Sequence, residues 1–265
     1  MDLQLKGKGA VISGGSRGIG LAAARALAAE GVDLVLAARS ADVLAEVAAS
    51  LSAAHGVKVI GIPTDVRDDA SVRELARRAE DALGSIDILV NSASDQTIGA
   101  AHPGLAGTTD AALYGDLDVK LVGYLRTARA IAPAMIRQGW GRIINISGLG
   151  ARTTLSIART IRNVGVVALT KNLADELGPH GINVVGVHPG ATRTEKTGAS
   201  VQTEAERLGL SVTEVERRRA ANIIGRLVDA EEVADVIAFL SSPRSASITG
   251  DFIPVGGGQP GVVHY

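Results

Sequence analysis

Short apolar runs alternate along the chain with longer stretches whose apolar residues recur at helical spacing. Ala10-Val11-Ile12-Ser13 is the first run, stopped by glycines, and residues 18–30 follow as an Ala-rich helix. Residues 32–37 predict a second strand, 40–54 a helix and 57–62 a third strand. The next helix places Val72, Leu75, Ala76, Ala79 and Leu83 on one face. Residues 86–90 form a fourth strand, and a long helix runs from about Thr109 to Gln138. A fifth strand over 142–146, a helix over 157–177 and a sixth strand over 182–187 come next. Residues 229–241 form a helix with Val233, Val236, Ile237 and Leu240 on its core stripe, and 252–255 is a last short strand.

Strands that are apolar throughout, separated by helices, indicate a parallel sheet buried on both faces. Right-handed crossovers then give an α/β fold: one doubly wound Rossmann-type domain over residues 1–265, with about seven parallel strands and helices on both faces. Ligands of such sheets bind outside the carboxyl ends of the strands. Residues 191–228 break the rhythm. They are polar and charged with a helical middle, and a connection this long reads as a substrate lid.

Composition narrows the function. A net charge of -1 argues against nucleic-acid binding, which needs a surplus of Lys and Arg. The run Arg217-Arg218-Arg219 lies between acidic residues and reads as a solvated helix face. There is no cysteine, which excludes disulfides, thiolate metal sites and a Cys nucleophile. The histidines are scattered without metal-ligand spacing. No apolar run reaches the roughly 18 residues of a membrane span, and no signal peptide is visible, so a cytoplasmic location is expected.

The first strand leads into Ser13-Gly14-Gly15-Ser16-Arg17-Gly18-Ile19-Gly20, which opens directly into a helix. Glycines let the backbone approach a pyrophosphate, and the helix start offers unpaired N–H groups and a positive dipole end. Gly14, Ser16, Arg17, Gly18, Ile19 and Gly20 are therefore candidate cofactor contacts. An acid at the tip of the second strand would select NAD by binding its ribose hydroxyls. This chain reads Ala37-Ala38-Arg39-Ser40 there. Arg39, with Arg17, can pair with a 2′-phosphate, so NADP is expected.

These residues together resemble the short-chain dehydrogenases/reductases, over essentially the whole chain. The resemblance implies an adenine contact at Asp65 and Val66. Asn91-Ser92-Ala93-Ser94 is similar to that family's Asn-Asn-Ala-Gly motif, with two departures, and implies cofactor contacts at Asn91, Ser92 and Ala93. Pro189, Gly190, Thr192 and Thr194 are similar to its nicotinamide-side turn. The usual catalytic residues of the family are replaced. Its Tyr position falls on Arg159, its Lys position on Asn163, its Ser position on Gly148 and its Asn position on Lys120. Lys and Asn have thus exchanged helices, a pattern that resembles a divergent branch.

Three functions stay open. An NADP-dependent oxidoreductase can interconvert a carbonyl and an alcohol, with Lys120 supplying charge and a proton, Arg159 stabilising an oxyanion and Asn163 completing the site. A non-reducing NADP(H)-binding protein, as a sensor or inactive partner subunit, is the second. A lyase or isomerase in the same pocket is the third. Other candidate proton donors are Tyr114, Tyr124, Tyr265, Ser147, Ser156 and His188, and His102 and Asp95 can line a substrate pocket. Besides a small-molecule substrate, the resemblance implies a homo-oligomer, usually a tetramer; the face around Ala128, Ala130, Ala132 and Ala134 suits close subunit packing and equally an ordinary core.

Overall fold

A computed structural model describes residues 1–95, 104–154 and 156–263. His102 and Tyr265 lie outside the described residues. The first half builds β1 (Gly9–Ser13), α1 (Gly18–Ala29), β2 (Asp33–Ala38), α2 (Ala41–His55), β3 (Val59–Pro63), α3 (Asp69–Leu83) and β4 (Ile88–Asn91). After it come α4 (Gly104–Gly107), α5 (Asp110–Leu117), a π-helical turn (Asp118–Val122) and α6 (Gly123–Gln138). β5 (Gly141–Ile146), α7 (Ile157–Leu177) and β6 (Ile182–Pro189) complete the central layers. The remainder is β7 (Thr192–Arg193), α8 (Thr197–Leu208), α9 (Val212–Ala220), β8 (Val228–Asp229), α10 (Ala230–Ser241) and β9 (Phe252–Val255).

The main sheet has seven strands in the order β3-β2-β1-β4-β5-β6-β9, and every pairing in it is parallel. Strand order reverses on either side of β1, so a crevice opens between the loops after β1 and β4. Period-two alternation divides the strand residues between two cores. Ile12, Leu34, Leu36, Ile144 and Val185 face α1, α2 and α10. Val11, Val35, Leu89, Ile143 and Val184 face α3, α6 and α7. Each fully buried side chain of this size contributes about 1.5–3 kcal/mol of transfer free energy. Ala128 and Ala132 belong to the second core beside Ile131 and Met135. The alanine face expected to suit subunit packing is therefore largely spent inside the domain.

The expected long helix is continuous from residue 110 to 138 but carries the π turn at its middle. Thr109 caps its start, its hydroxyl accepting from the Ala112 N–H. A polar chain crosses the sheet beneath the strand ends. The Asn91 amide donates to Asn145 Oδ1 at 2.9 Å and accepts from Thr127 at 2.7 Å. The Asn145 amide donates to Thr170 at 3.0 Å. Because each member is paired, the network fixes β4, β5, α6 and α7 relative to one another without leaving an orphan dipole.

Segment 191–228 folds as α8 and α9 packed on a small core of Val201, Ala205 and Val215. Its base is closed by the parallel β7–β8 pair, Thr192 opposite Val228 and Arg193 opposite Asp229. Arg193 also pairs with Glu216 and Asp229, which ties α9 to that base.

At the far edge, Gly186 of β6 lies under the Phe252 ring: a Cβ there would stand 1.9 Å from it. The same ring stacks on His188 at 4.3 Å between centroids. Gly186→Ala is expected to force β9 off β6 and cost about 1–3 kcal/mol, the usual range for overpacking. Urea denaturation checks this, and an unchanged midpoint would refute it.

Candidate active site

The loop after β1 is shaped by contacts that exclude side chains. Gly14 and Gly18 have φ of 71° and 55°, in the left-handed region. A Cβ on Gly20 would lie 2.2 Å from the Gly14 carbonyl oxygen, and one on Gly14 would lie 2.8 Å from the Ala93 nitrogen. The loop is thereby seated against Ser92 and Ala93, whose N–H groups also donate to the Ser13 hydroxyl. Arg17 at the N-cap of α1 supplies no side-chain cap, so the first N–H groups keep their donor capacity for an anion. One already holds a stand-in: the Gly18 N–H donates to a carboxylate oxygen of Glu195 at 3.0 Å. A donor that binds a carboxylate oxygen has the chemistry for a phosphate oxygen, so these residues fit a dinucleotide. Ser16 and Ile19 flank the loop half-buried, and Arg17 is exposed.

The other candidate cofactor residues line the same strand ends. Arg39 leaves the tip of β2 largely exposed, with the Asp95 carboxylate 4.0 Å away. Asp65 is held by Arg67, whose hydrogen bonds keep its carboxyl below the usual range. Val66 is buried, and its carbonyl accepts from Arg126. The Asn91 side chain is committed to the buried network rather than turned outward. Pro189 ends β6, and Gly190 passes so close to Gly256 that a Cβ would lie 2.8 Å from its Cα. Thr192 donates to the Gly190 carbonyl, and Thr194 meets Thr197.

At the end of β5 Lys120 and Asn163 meet. Lys120, on the π turn, is 5% exposed and Asn163, on α7, is 4% exposed. Lys120 Nζ donates to the Ser147 carbonyl at 2.7 Å and to Asn163 Oδ1 at 3.3 Å. Gly148 sits against that amide, a Cβ being 3.3 Å from Asn163 Nδ2. Burial is the chief reason the Lys120 amine lies well below the usual lysine range; the Arg162 and Arg159 guanidiniums push it the same way, and Asp116 opposes them. Two of its N–H positions are fixed whether it is charged or neutral. The third is where a proton can be held or released while both hydrogen bonds persist.

Arg159 lies one helical turn before Asn163 on α7 and is half-buried. Burial and Arg162 lower its pKa, yet a guanidinium remains charged. Tyr124 is buried; its hydroxyl donates to the Ile146 carbonyl, and burial pushes the phenol far up. Ser147 donates to the Asn163 carbonyl, Ser156 caps α7, and Tyr114 is exposed. None of these hydroxyls is placed as a ready acid, and His188 is buried beneath Phe252.

The family pattern for enoyl-(acyl carrier protein) reductase matches residues 14–259. The short-chain reductase protein NovJ of Streptomyces niveus is 37% identical over 255 residues, 95% of this chain and 93% of that one. The chain belongs to the short-chain dehydrogenase/reductase family. The 3-oxoacyl-(acyl-carrier-protein) reductase FabG of Aquifex aeolicus is 31% identical over 98% of this chain and 100% of its own. The crystal structure of L-sorbose reductase from Gluconobacter frateurii, complexed with NADPH and L-sorbose, aligns over 99% of this chain and 100% of that chain. Its TM-score is 0.93, at 29% identity.

Within this short-chain dehydrogenase/reductase, the structure adds residues that sequence reasoning passed over. Asp116 on α5 forms a buried ion pair with Arg162 on α7. The pair has no motif and is visible only once the two helices are packed. Glu195 reaches the glycine loop from a distant segment in the same way, and Asp95, expected to line a substrate pocket, stands beside Arg39 at the β2 tip.

A buried amine with a lowered pKa leaves a thermodynamic trace. The unfolded chain binds the Lys120 proton up to the ordinary value of about 10.4, whereas the folded chain releases it earlier. Over that window the unfolded state holds more protons, so stability rises with pH. Wild type is expected to gain melting temperature relative to Lys120→Met as pH is raised through the window, by differential scanning calorimetry. Parallel curves would show that Lys120 titrates normally.

Proposed function

We propose that this chain is an NADP(H)-dependent oxidoreductase that interconverts a carbonyl and an alcohol, using a rearranged catalytic site in place of the family's usual Asn, Ser, Tyr and Lys. The observation that carries the reading is the buried Lys120 amine, held on the Ser147 carbonyl and Asn163 at the carboxyl end of β5. The NADPH-bound L-sorbose reductase structure and the FabG and NovJ relatives support the cofactor and the reaction class. Arg39 at the β2 tip supports NADP over NAD, as a partner for a 2′-phosphate.

In this reading Gly14, Ser16, Arg17, Gly18, Ile19 and Gly20 hold the pyrophosphate, and Arg39, Asp65 and Val66 the adenosine half. Ser92, Ala93, Pro189, Gly190, Thr192 and Thr194 line the nicotinamide half, and Asn91 braces the strand beneath them. The bound nicotinamide supplies the hydride. Lys120 holds the proton that the reduced oxygen takes, Asn163 keeps its amine oriented, and Arg159 offers positive charge to the developing oxyanion. Segment 191–228 acts as the substrate lid of a single domain. A second reading, NADP(H) binding without reduction, is favoured by the commitment of Tyr124 and Ser147 to backbone carbonyls.

A homo-oligomer is supported by an exposed apolar stripe on α7, Ile157, Ile161 and Val164, at helical spacing. A cytoplasmic location is the reading that suits a FabG-like reductase.

Loss of NADPH absorbance against a panel of ketones and aldehydes tests the reaction. Lys120→Met is expected to slow reduction by about 10²–10⁴, the range for removing an acid catalyst. NADPH binding without turnover of any carbonyl would leave the second reading. Replacing Glu195 with Gln is expected to tighten NADPH about three- to tenfold at low salt, since the phosphates no longer meet a carboxylate at Gly18. Fluorescence titration reads this, and equal affinities would show that Glu195 does not compete.

A further inference from the structure

The cluster around Lys120 carries more positive charge than it can neutralise. Asp116, Lys120, Arg159 and Arg162 act on one another, three cations to one carboxylate. The carboxylate is paired with Arg162: Asp116 Oδ1 accepts from Arg162 Nη1, both side chains being almost wholly buried, while Asp116 Oδ2 and Arg162 Nε meet no partner among the described residues. Lys120 rests on neutral oxygens. Among the described residues the Arg159 side chain has neither kind of partner. Its Nε–H is buried and meets no acceptor among the described residues.

A buried guanidinium donor left unmet is costly, and native structures rarely keep one unless something else supplies the acceptor. The position of Arg159 says from where. α7 begins at Ile157, so Arg159 lies on its first turn. Asn163, four residues on, is neighbour to Lys120 on the same helix face. α7 leaves the carboxyl end of β5, so its first turn lies farther out from the sheet than Asn163 does. The positive end of the helix dipole adds to the field there.

We propose that Arg159 binds a carboxylate of the substrate, so that this enzyme acts on oxo acids, or the matching hydroxy acids, rather than on neutral ketones. A guanidinium edge presents two parallel donors, which suits a planar carboxylate better than a single carbonyl oxygen. The reaction balances as oxo acid plus NADPH plus a proton giving hydroxy acid plus NADP. The hydride forms the new C–H bond, the carbonyl π pair takes the Lys120 proton, and water restores that proton. An anion at Arg159 also offsets the charge that disfavours the Lys120 ammonium. Binding of the acid therefore loads the proton that reduction consumes, with Asp116 and Arg162 as the other charged groups facing the amine.

This inference rests on the oxidoreductase reading, and the test separates the two. Malonate and its dimethyl ester are titrated into the protein with and without NADPH, followed by melting temperature. In parallel, 2-oxo and 3-oxo acids are assayed for NADPH oxidation beside their methyl esters. Malonate is expected to stabilise the protein and the ester not; acids are expected to be turned over in preference to esters. Arg159→Gln should weaken malonate at least about thirtyfold, with Arg159→Lys retaining part of the affinity. Malonate binding without any turnover would overturn the reaction but keep the anion site. Esters that bind or react as well as acids, or unchanged malonate affinity in Arg159→Gln, would overturn the proposal.

Discussion

A lysine amine kept out of water on a peptide carbonyl and an amide oxygen is the constraint around which this site is arranged. Removing an ammonium from water costs several kcal/mol unless hydrogen bonds and neighbouring charge offset it. Here the carbonyl comes from Ser147, just beyond β5, and the amide from Asn163 on α7. The π turn at residues 118–122 carries the lysine to them; such turns interrupt helices most often where function requires it. Tyr124 follows on the same face and takes the preceding carbonyl, of Ile146. One helix thus satisfies two successive carbonyls at the end of a central strand. Only one of the two side chains retains a proton it can exchange.

The two ends of the crevice differ in charge. Around the glycine loop, carboxylates approach: Glu195 at the Gly18 N–H and Asp95 beside Arg39. Around Lys120, guanidiniums gather and a lone carboxylate is already paired. At the first end the exposed Glu195 and half-buried Asp95 carboxylates stand where screening by salt is effective. At the second end burial keeps the interaction between charges strong.

Much of the fold was legible from hydrophobic pattern. The seven main strands appear within a residue or two of their expected positions, because strands buried on both faces must be apolar throughout. The long helix and α7 were equally plain, the latter bounded by the Ser156 cap. The π turn was not legible, since residues 118–122 are as helical in pattern as their neighbours. The alanines of α6 were ambiguous: a stripe of small residues reads as an interface or a core, and packing against β4 and β5 made it core. Asn91 lies where the motif placed it, yet its amide is used to brace the sheet.

By itself the sequence determined the strand–helix alternation and the glycine turn at the start of α1. Both are local, because periodicity and backbone sterics act over a few residues. Tertiary structure decided that Lys120 and Asn163 touch, that Asp116 forms its ion pair with Arg162, and that Asp95 stands at a strand tip where the local sequence offers no acid. Those outcomes depend on which charges share a dielectric cavity, a property of distances between residues far apart in the chain.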